Sequence, residues 1–104
     1  TIGICEEIKE KNGSYNVRFS YASEFAALII EKGSIAIDGI SLTCHSLSHC
    51  EFTVSIIPYT WTHTVAQHWV QGTIVNLEFD LLGKYLQRQW WLATKGEEDI
   101  PNNS

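Results

Sequence analysis

The sequence predicts a small antiparallel β-barrel, and three observations carry that reading. Short stretches alternate apolar and polar residues with the period of a half-buried strand, as in Tyr15, Val17 and Phe19, or Val75, Leu77 and Phe79. Turn dipeptides such as Asn12-Gly13, Asp38-Gly39 and Gln71-Gly72 punctuate these stretches, giving about six strands at roughly 8–12-residue spacing. The chain has 104 residues, enough for one domain and too few for two ordinary ones. At that size roughly two thirds of the unfolded surface can be buried in a single core.

Ile2 to Lys9 reads as a strand, although Ile2, Ile4 and Ile8 do not alternate cleanly. Asn12-Gly13 carries the type I′ hairpin signature, because both residues tolerate positive φ. Tyr15 to Phe19 is the returning strand. Ser23 is placed to cap a helix over Glu24 to Glu31, with Ala26, Ala27, Ile29 and Ile30 as its apolar stripe and Gly33 just past its end. The stretch Lys32 to Thr43 then reads strand, tight turn, strand. Ile35 and Ile37 face the core, Asp38-Gly39 turns the chain, and Ile40 to Cys44 returns. On the return strand Leu42 and Cys44 share one face, and Ser41, Thr43 and His45 the other. Phe52, Val54 and Ile56 continue the core face, with Thr53, Ser55 and Ile57 opposite. Pro58 ends that strand, since it has no N–H for the ladder. Thr60 to Trp69 admits no single assignment. Val75, Leu77 and Phe79 alternate with Asn76, Glu78 and Asp80. Leu81 to Thr94 reads as a helix, and residues 95–104 as a polar tail.

Composition narrows the function classes. A net charge of −5, with seven scattered Lys and Arg, argues against nucleic acid as a partner. No apolar run reaches the roughly 18 residues of a membrane span, and no signal peptide is visible. Three cysteines, an odd number, do not build a disulfide framework, so a reducing compartment such as the cytoplasm is expected. The first residue is Thr1 rather than Met, as in a piece of a longer chain.

The segment Cys44-His45-Ser46-Leu47-Ser48-His49-Cys50 concentrates soft metal ligands. Its spacing fits no standard zinc pair, and adjacent Cys44 and His45 point to opposite faces of a strand, so a hairpin turn is preferred and no metal is assigned. The cysteines sit among apolar neighbours, which favours inert thiols. His63 and His68 read as surface or capping residues. A hydroxyl-lined face is more informative: Ser41 and Thr43, with Thr53 and Ser55 across a hairpin, and Asn76 and Asp80 on the non-core face of another strand. It is either a solvated sheet face or a site for a flat polar heterocycle bearing a polyhydroxyl chain. In that site hydroxyls would read ring edges and a carboxylate would hold the chain. Trp90 and Trp91 cannot both face one groove, so a partner chain is expected to cover one of them.

As a set, the motifs KGSIAIDGISLT (Lys32 to Thr43), FTVSIIPYT (Phe52 to Thr60) and GTIVNLEFDLLGKY (Gly72 to Tyr85) resemble the C-terminal half of riboflavin synthases of the alpha-chain type. The resemblance runs from about Ile2 to Gln89. It implies a six-stranded Greek-key barrel over residues 1–80, which is one of two barrels in such proteins. It also implies a C-terminal helix over 81–94 through which chains form a homotrimer, and a flexible tail over 95–104. The implied reaction moves a four-carbon unit between two molecules of 6,7-dimethyl-8-ribityllumazine, giving riboflavin and a ribitylamino-pyrimidinedione without a cofactor. A non-catalytic lumazine- or flavin-binding barrel is the alternative. By position, the resemblance implies that Lys32, Ser41, Leu42 and Thr43 contact the substrate, together with a second contact strand of Ser55, Ile56, Ile57, Pro58, Tyr59 and Thr60. Ser41, Thr43 and Asp80 are the implied catalytic residues. The chain departs from the pattern at Tyr59, where an acidic residue is usual, and at Thr64-Val65-Ala66-Gln67, where Thr-Thr-Leu-Gly is usual. The Gly-His start of the barrel and the N-terminal barrel are absent, so this chain is expected to supply half of a site.

Overall fold

The computed structural model describes residues 1–79 and 88–94. Strands β1 (Ile2–Lys11), β2 (Ser14–Tyr21), β3 (Ser34–Ile37), β4 (Ile40–His45), β5 (Glu51–Ile56) and β6 (Ile74–Phe79) close a barrel in the order β1-β2-β5-β4-β3-β6. Every pairing is antiparallel. The chain passes from β2 to β3 across β5 and β4, the long return of a Greek key. Among the described residues no helix is long and apolar enough to cross a membrane.

The alternating residues fill the barrel. Val17, Phe19, Ile35, Ile37, Cys44, Phe52, Val54, Ile56, Val75 and Leu77 are buried, as the period-2 pattern predicts. Phe19 stacks on Phe52 at 5.5 Å and meets Trp69 edge-on at 5.2 Å. The uneven pattern of β1 has a cause: the register with β2 shifts between Cys5 and Glu7. This bulge inserts one residue and switches the parity of the strand. Gly3 and Cys5 point inward before it, and Ile8 packs on the core after it, while Ile2 and Ile4 stay exposed. The strand also runs to Lys11, past the predicted end.

Both Asn-Gly and Asp-Gly turns take the expected conformation, with φ of 54° and 86° at Asn12 and Gly13 and 49° and 85° at Asp38 and Gly39. The helix predicted over Glu24 to Glu31 is instead a 3₁₀ helix over Ser23–Leu28, capped by Ala22 with no side-chain hydrogen bond. Ile29 is extended and buried; two consecutive β-branched residues, Ile29 and Ile30, disfavour continuation. The left-handed residue beyond it is Lys32, at φ 64°, not Gly33. The ambiguous stretch resolves into helix α1 (Pro58–His63), with Pro58 in its first turn, and a 3₁₀ helix over Val65–His68. Trp61 anchors α1 by stacking on Tyr15 at 3.9 Å. Residues 88–94 are helical, with Trp90, Trp91 and Leu92 exposed. The rest of the predicted 81–94 helix and the 95–104 tail lie outside the described residues.

Candidate functional site

The outer face of β6, β3 and β4 carries a hollow, and its shape comes from one small side chain. Register aligns Glu78 with Ala36 and Ala36 with Ser41, so a methyl group sits between a carboxylate and a hydroxyl. One step along, Ser34 pairs with Thr43. The result is a hollow of about 320 Å³ lined by Ser34, Ile35, Ala36, Ser41, Glu78 and Phe79. That is the lower end of the size range of small-molecule sites, about 300–1,000 Å³. Its walls offer a carboxylate that accepts, hydroxyls that donate or accept, and the apolar floor of Ala36 with Phe79 beside it. A flat ring can lie on such a floor while the polar groups read its edges.

Ser41 and Thr43 are both exposed on this face, while Leu42 between them is half-buried and packs on the core. Lys32 reaches the same end of the sheet through its left-handed turn. Its N–H donates to the Cys44 carbonyl at 2.7 Å, and the Cys44 N–H donates to the Gly33 carbonyl at 2.9 Å. The turn is thereby stitched to β4, and the Lys32 side chain is left exposed.

The second predicted wall is not a single strand. Ser55 faces outward on β5, but Ile56 is 1% exposed in the core and β5 ends there. Ile57 is extended, and Pro58, with its fixed φ, starts α1. Tyr59 therefore stands on a helix, 68% exposed and stacked on the His63 ring at 4.0 Å. The Thr60 carbonyl accepts from the Thr64 hydroxyl at 2.7 Å. Of the segment Ser55 to Thr60, the Ile56 side chain is thus removed from any surface contact. Asp80 lies outside the described residues. Glu78, by contrast, reads from the sequence only as a polar alternate of β6. Its signal is its place in the Asn76, Glu78, Asp80 row, but only the β3–β6 register puts it opposite Ala36.

The thiols are not reactive groups of this face. Burial pushes the Cys5 and Cys44 thiols up, with the Glu6 carboxylate adding to the effect at Cys5. The Cys44 Sγ also points at the Ile30 and Gly33 carbonyls, 3.3 and 3.2 Å away. Cys50 is exposed. Among the described residues no three His, Cys, Asp or Glu side chains gather into a metal-binding group.

Comparison with known proteins gives this face a context. The family model described as the lumazine binding domain matches residues 1–80. The riboflavin synthase of Actinobacillus pleuropneumoniae is 41% identical over 102 residues, which is 98% of this chain and 47% of that protein. That of Bacillus amyloliquefaciens is 38% identical over 81 residues, 78% of this chain and 38% of that protein. That of Mycobacterium bovis is 43% identical over 75 residues, 69% of this chain and 37% of that protein. The chain thus spans less than half the length of these relatives. The solved structure of LumP complexed with 6,7-dimethyl-8-(1'-D-ribityl) lumazine superposes with a TM-score of 0.67 at 19% identity, covering 75% of this chain and 44% of that one. At that identity it supports the barrel fold alone.

Proposed function

Because this chain belongs to the lumazine binding domain family, we propose that it is the ribityllumazine-binding barrel of a riboflavin synthase. In this reading the outer-face hollow holds 6,7-dimethyl-8-ribityllumazine, and the reaction transfers a four-carbon unit between two such molecules to give riboflavin. The observation that carries the reading is the row Glu78, Ala36, Ser41 with Ser34 and Thr43 beside it. It combines an apolar floor for a bicyclic ring with hydroxyls for its edges and a carboxylate for its polyol chain.

The chemistry asks little of the protein beyond position. The 7-methyl group of the lumazine is acidic because its carbanion delocalises into the ring. Holding two rings in stacked register then supplies much of the rate. Ser41 and Thr43 orient the ring and a water that adds to it, with Asp80 as the acidic group near the polyol or the reacting centre. The barrel offers one wall; a second barrel of the same kind supplies the other, within a homotrimer joined through the C-terminal helix, in the cytoplasm.

The test is incubation of the full-length protein with 6,7-dimethyl-8-ribityllumazine while riboflavin absorbance is followed. Riboflavin should appear, and Ala36→Leu, which fills the floor of the hollow, should cut lumazine affinity at least tenfold with an unchanged urea midpoint. Tight binding without riboflavin would establish the non-catalytic alternative. Unchanged affinity in Ala36→Leu would move the site off this face.

A further inference from the structure

The first strand is built inside out. Its small residues Gly3 and Cys5 face the core, while Ile2 and Ile4 face outward, 53% and 39% exposed. The register is pinned in that sense. A Cβ on Gly3 would stand 2.9 Å from Leu77 Cδ1 and 3.0 Å from the Ser20 carbonyl oxygen, so no side chain fits the inward position. A slip by one residue would turn the isoleucines inward, and this packing forbids it. On the neighbouring strand Ile74 pairs with Ile4 and is 65% exposed. The outer face of an antiparallel sheet is ordinarily polar where water covers it. Here Ile2, Ile4 and Ile74 form one apolar ridge, since paired side chains lie about 5 Å apart. On the other side of β1 the ridge drops into a groove. Ile4 pairs with Ser20, and the register continued one step from Gly3–Tyr21 sets Ile2 beside exposed Ala22. These small side chains leave a hollow of about 330 Å³ lined by residues 1–4 and 20–22.

We infer that this face is a contact between two copies of the chain, related by a two-fold axis running along β1. Ridge and groove flank β1 on opposite sides, each one strand spacing away, about 4.8 Å. Rotation about β1 therefore brings Ile74 of each copy over the Ser20 and Ala22 groove of the other, while Ile2 and Ile4 meet their own counterparts at the axis. Such self-complementarity is what an isologous interface requires. Charge points to the same occupant. The outward side chains Ile74, Ile4, Ser20, Asn76, Ile2 and Ala22 carry none, in a chain whose net charge is −5. The carboxylate at the rim, Glu6, is turned aside to accept from the Ser20 hydroxyl at 2.6 Å. Two copies thus meet here with little like-charge repulsion, and a strongly charged partner finds nothing to pair with. Six outward side chains fall well short of the roughly 20–30 residues a side of a standard interface, so the contact is weak and concentration-dependent. It stands independently of the lumazine-binding reading.

Two measurements test this on the full-length protein. In sedimentation velocity the wild-type weight-average mass should rise with concentration toward twice that of the Ile4→Thr, Ile74→Thr double variant, whatever assembly the C-terminal helix builds. Both positions are exposed and threonine suits a strand, so the variant keeps its fold. Equal masses at every concentration overturn the inference. The second measurement uses a Cys50→Ser background, which removes the exposed native thiol. There Ile4→Cys should be cross-linked between copies by a short bis-maleimide, and Ser55→Cys, exposed on β5, should not. An Ile4→Cys thiol that the reagent modifies without cross-linking marks a free face and overturns the contact. One that the reagent cannot reach, in a protein whose mass does not double, marks a face covered by another segment or partner, and overturns the second copy as its occupant.

Discussion

Asp38 shows how much one side chain can do beyond its local preference. The sequence marks it as a turn residue, and its φ of 49° agrees. The structure adds two duties that no local pattern encodes. Its Oδ1 accepts from the Asn76 N–H at 2.7 Å, and its Oδ2 accepts from the Trp69 Nε1–H at 3.0 Å. The carboxylate thus ties the β3–β4 hairpin to β6 and to the tryptophan that packs edge-on against Phe19. Asp38→Ala both strains the left-handed turn and leaves two donors without their acceptor, so a loss of about 1–3 kcal/mol is expected in urea unfolding. Asp38→Asn should lose less, because one oxygen remains. Equal stability of all three proteins would show that water replaces the carboxylate. Since this hairpin displays Ser41 and Thr43, Asp38→Ala should also weaken lumazine binding without touching the ligand.

At the scale of elements, the strands are legible in the sequence and their connections less so. Period-2 alternation locates β2, β5 and β6 because one face of each is buried and the other is wet. It places Ser41 and Thr43 on the outer face for the same reason. Helix propensity misleads over Glu24 to Glu31, where tertiary closure overrides it: the chain must turn at Lys32 to pair with β4. Gly33 is needed there for space rather than for positive φ. A Cβ on it would stand 2.9 Å from the Ile30 carbonyl oxygen and 3.1 Å from the Ile30 Cβ. The Gly33 N–H also donates to that carbonyl at 2.7 Å, so the backbone has little freedom to withdraw. Gly33→Ala should therefore cost about 1–3 kcal/mol, as overpacking does. It should also displace Lys32 and lower lumazine affinity. A variant as stable as wild type would mean that the turn relaxes freely. The second wall fails as a strand for a related reason. Pro58 reads correctly as a stop, but the conformation beyond a stop is set by packing, here of Trp61 on Tyr15.

At the scale of the whole molecule, barrel closure decides which groups are buried, and so which protons are held. The bulge in β1 is set by its register with β2, and the place of Glu78 opposite Ala36 by the long-range pairing of β3 with β6; both are cross-strand effects, which is why sequence patterns within single strands do not reveal them. Closure also encloses Cys5, Cys44 and the flank of Tyr21, whose phenol donates to the Ser48 carbonyl at 2.9 Å. Burial raises the proton affinity of all three. In the unfolded chain the thiols titrate near 9.0 and the phenol near 10.0. Below about pH 9 both states keep these protons and the stabilisation is complete. Above it the unfolded chain loses protons that the folded chain retains. Unfolding then releases protons, and stability falls as pH rises. The urea midpoint should accordingly decline above about pH 9, and the slope should be shallower in the Cys5→Ala, Cys44→Ala double variant. The same enclosure orders the thiols by reactivity. Exposed Cys50 should react with a thiol reagent in the native state, and Cys5 and Cys44 only once denaturant opens the barrel. If all three reacted at one rate in native buffer, the barrel would be opening faster than the reagent attacks, and the pH dependence would have to come from other groups.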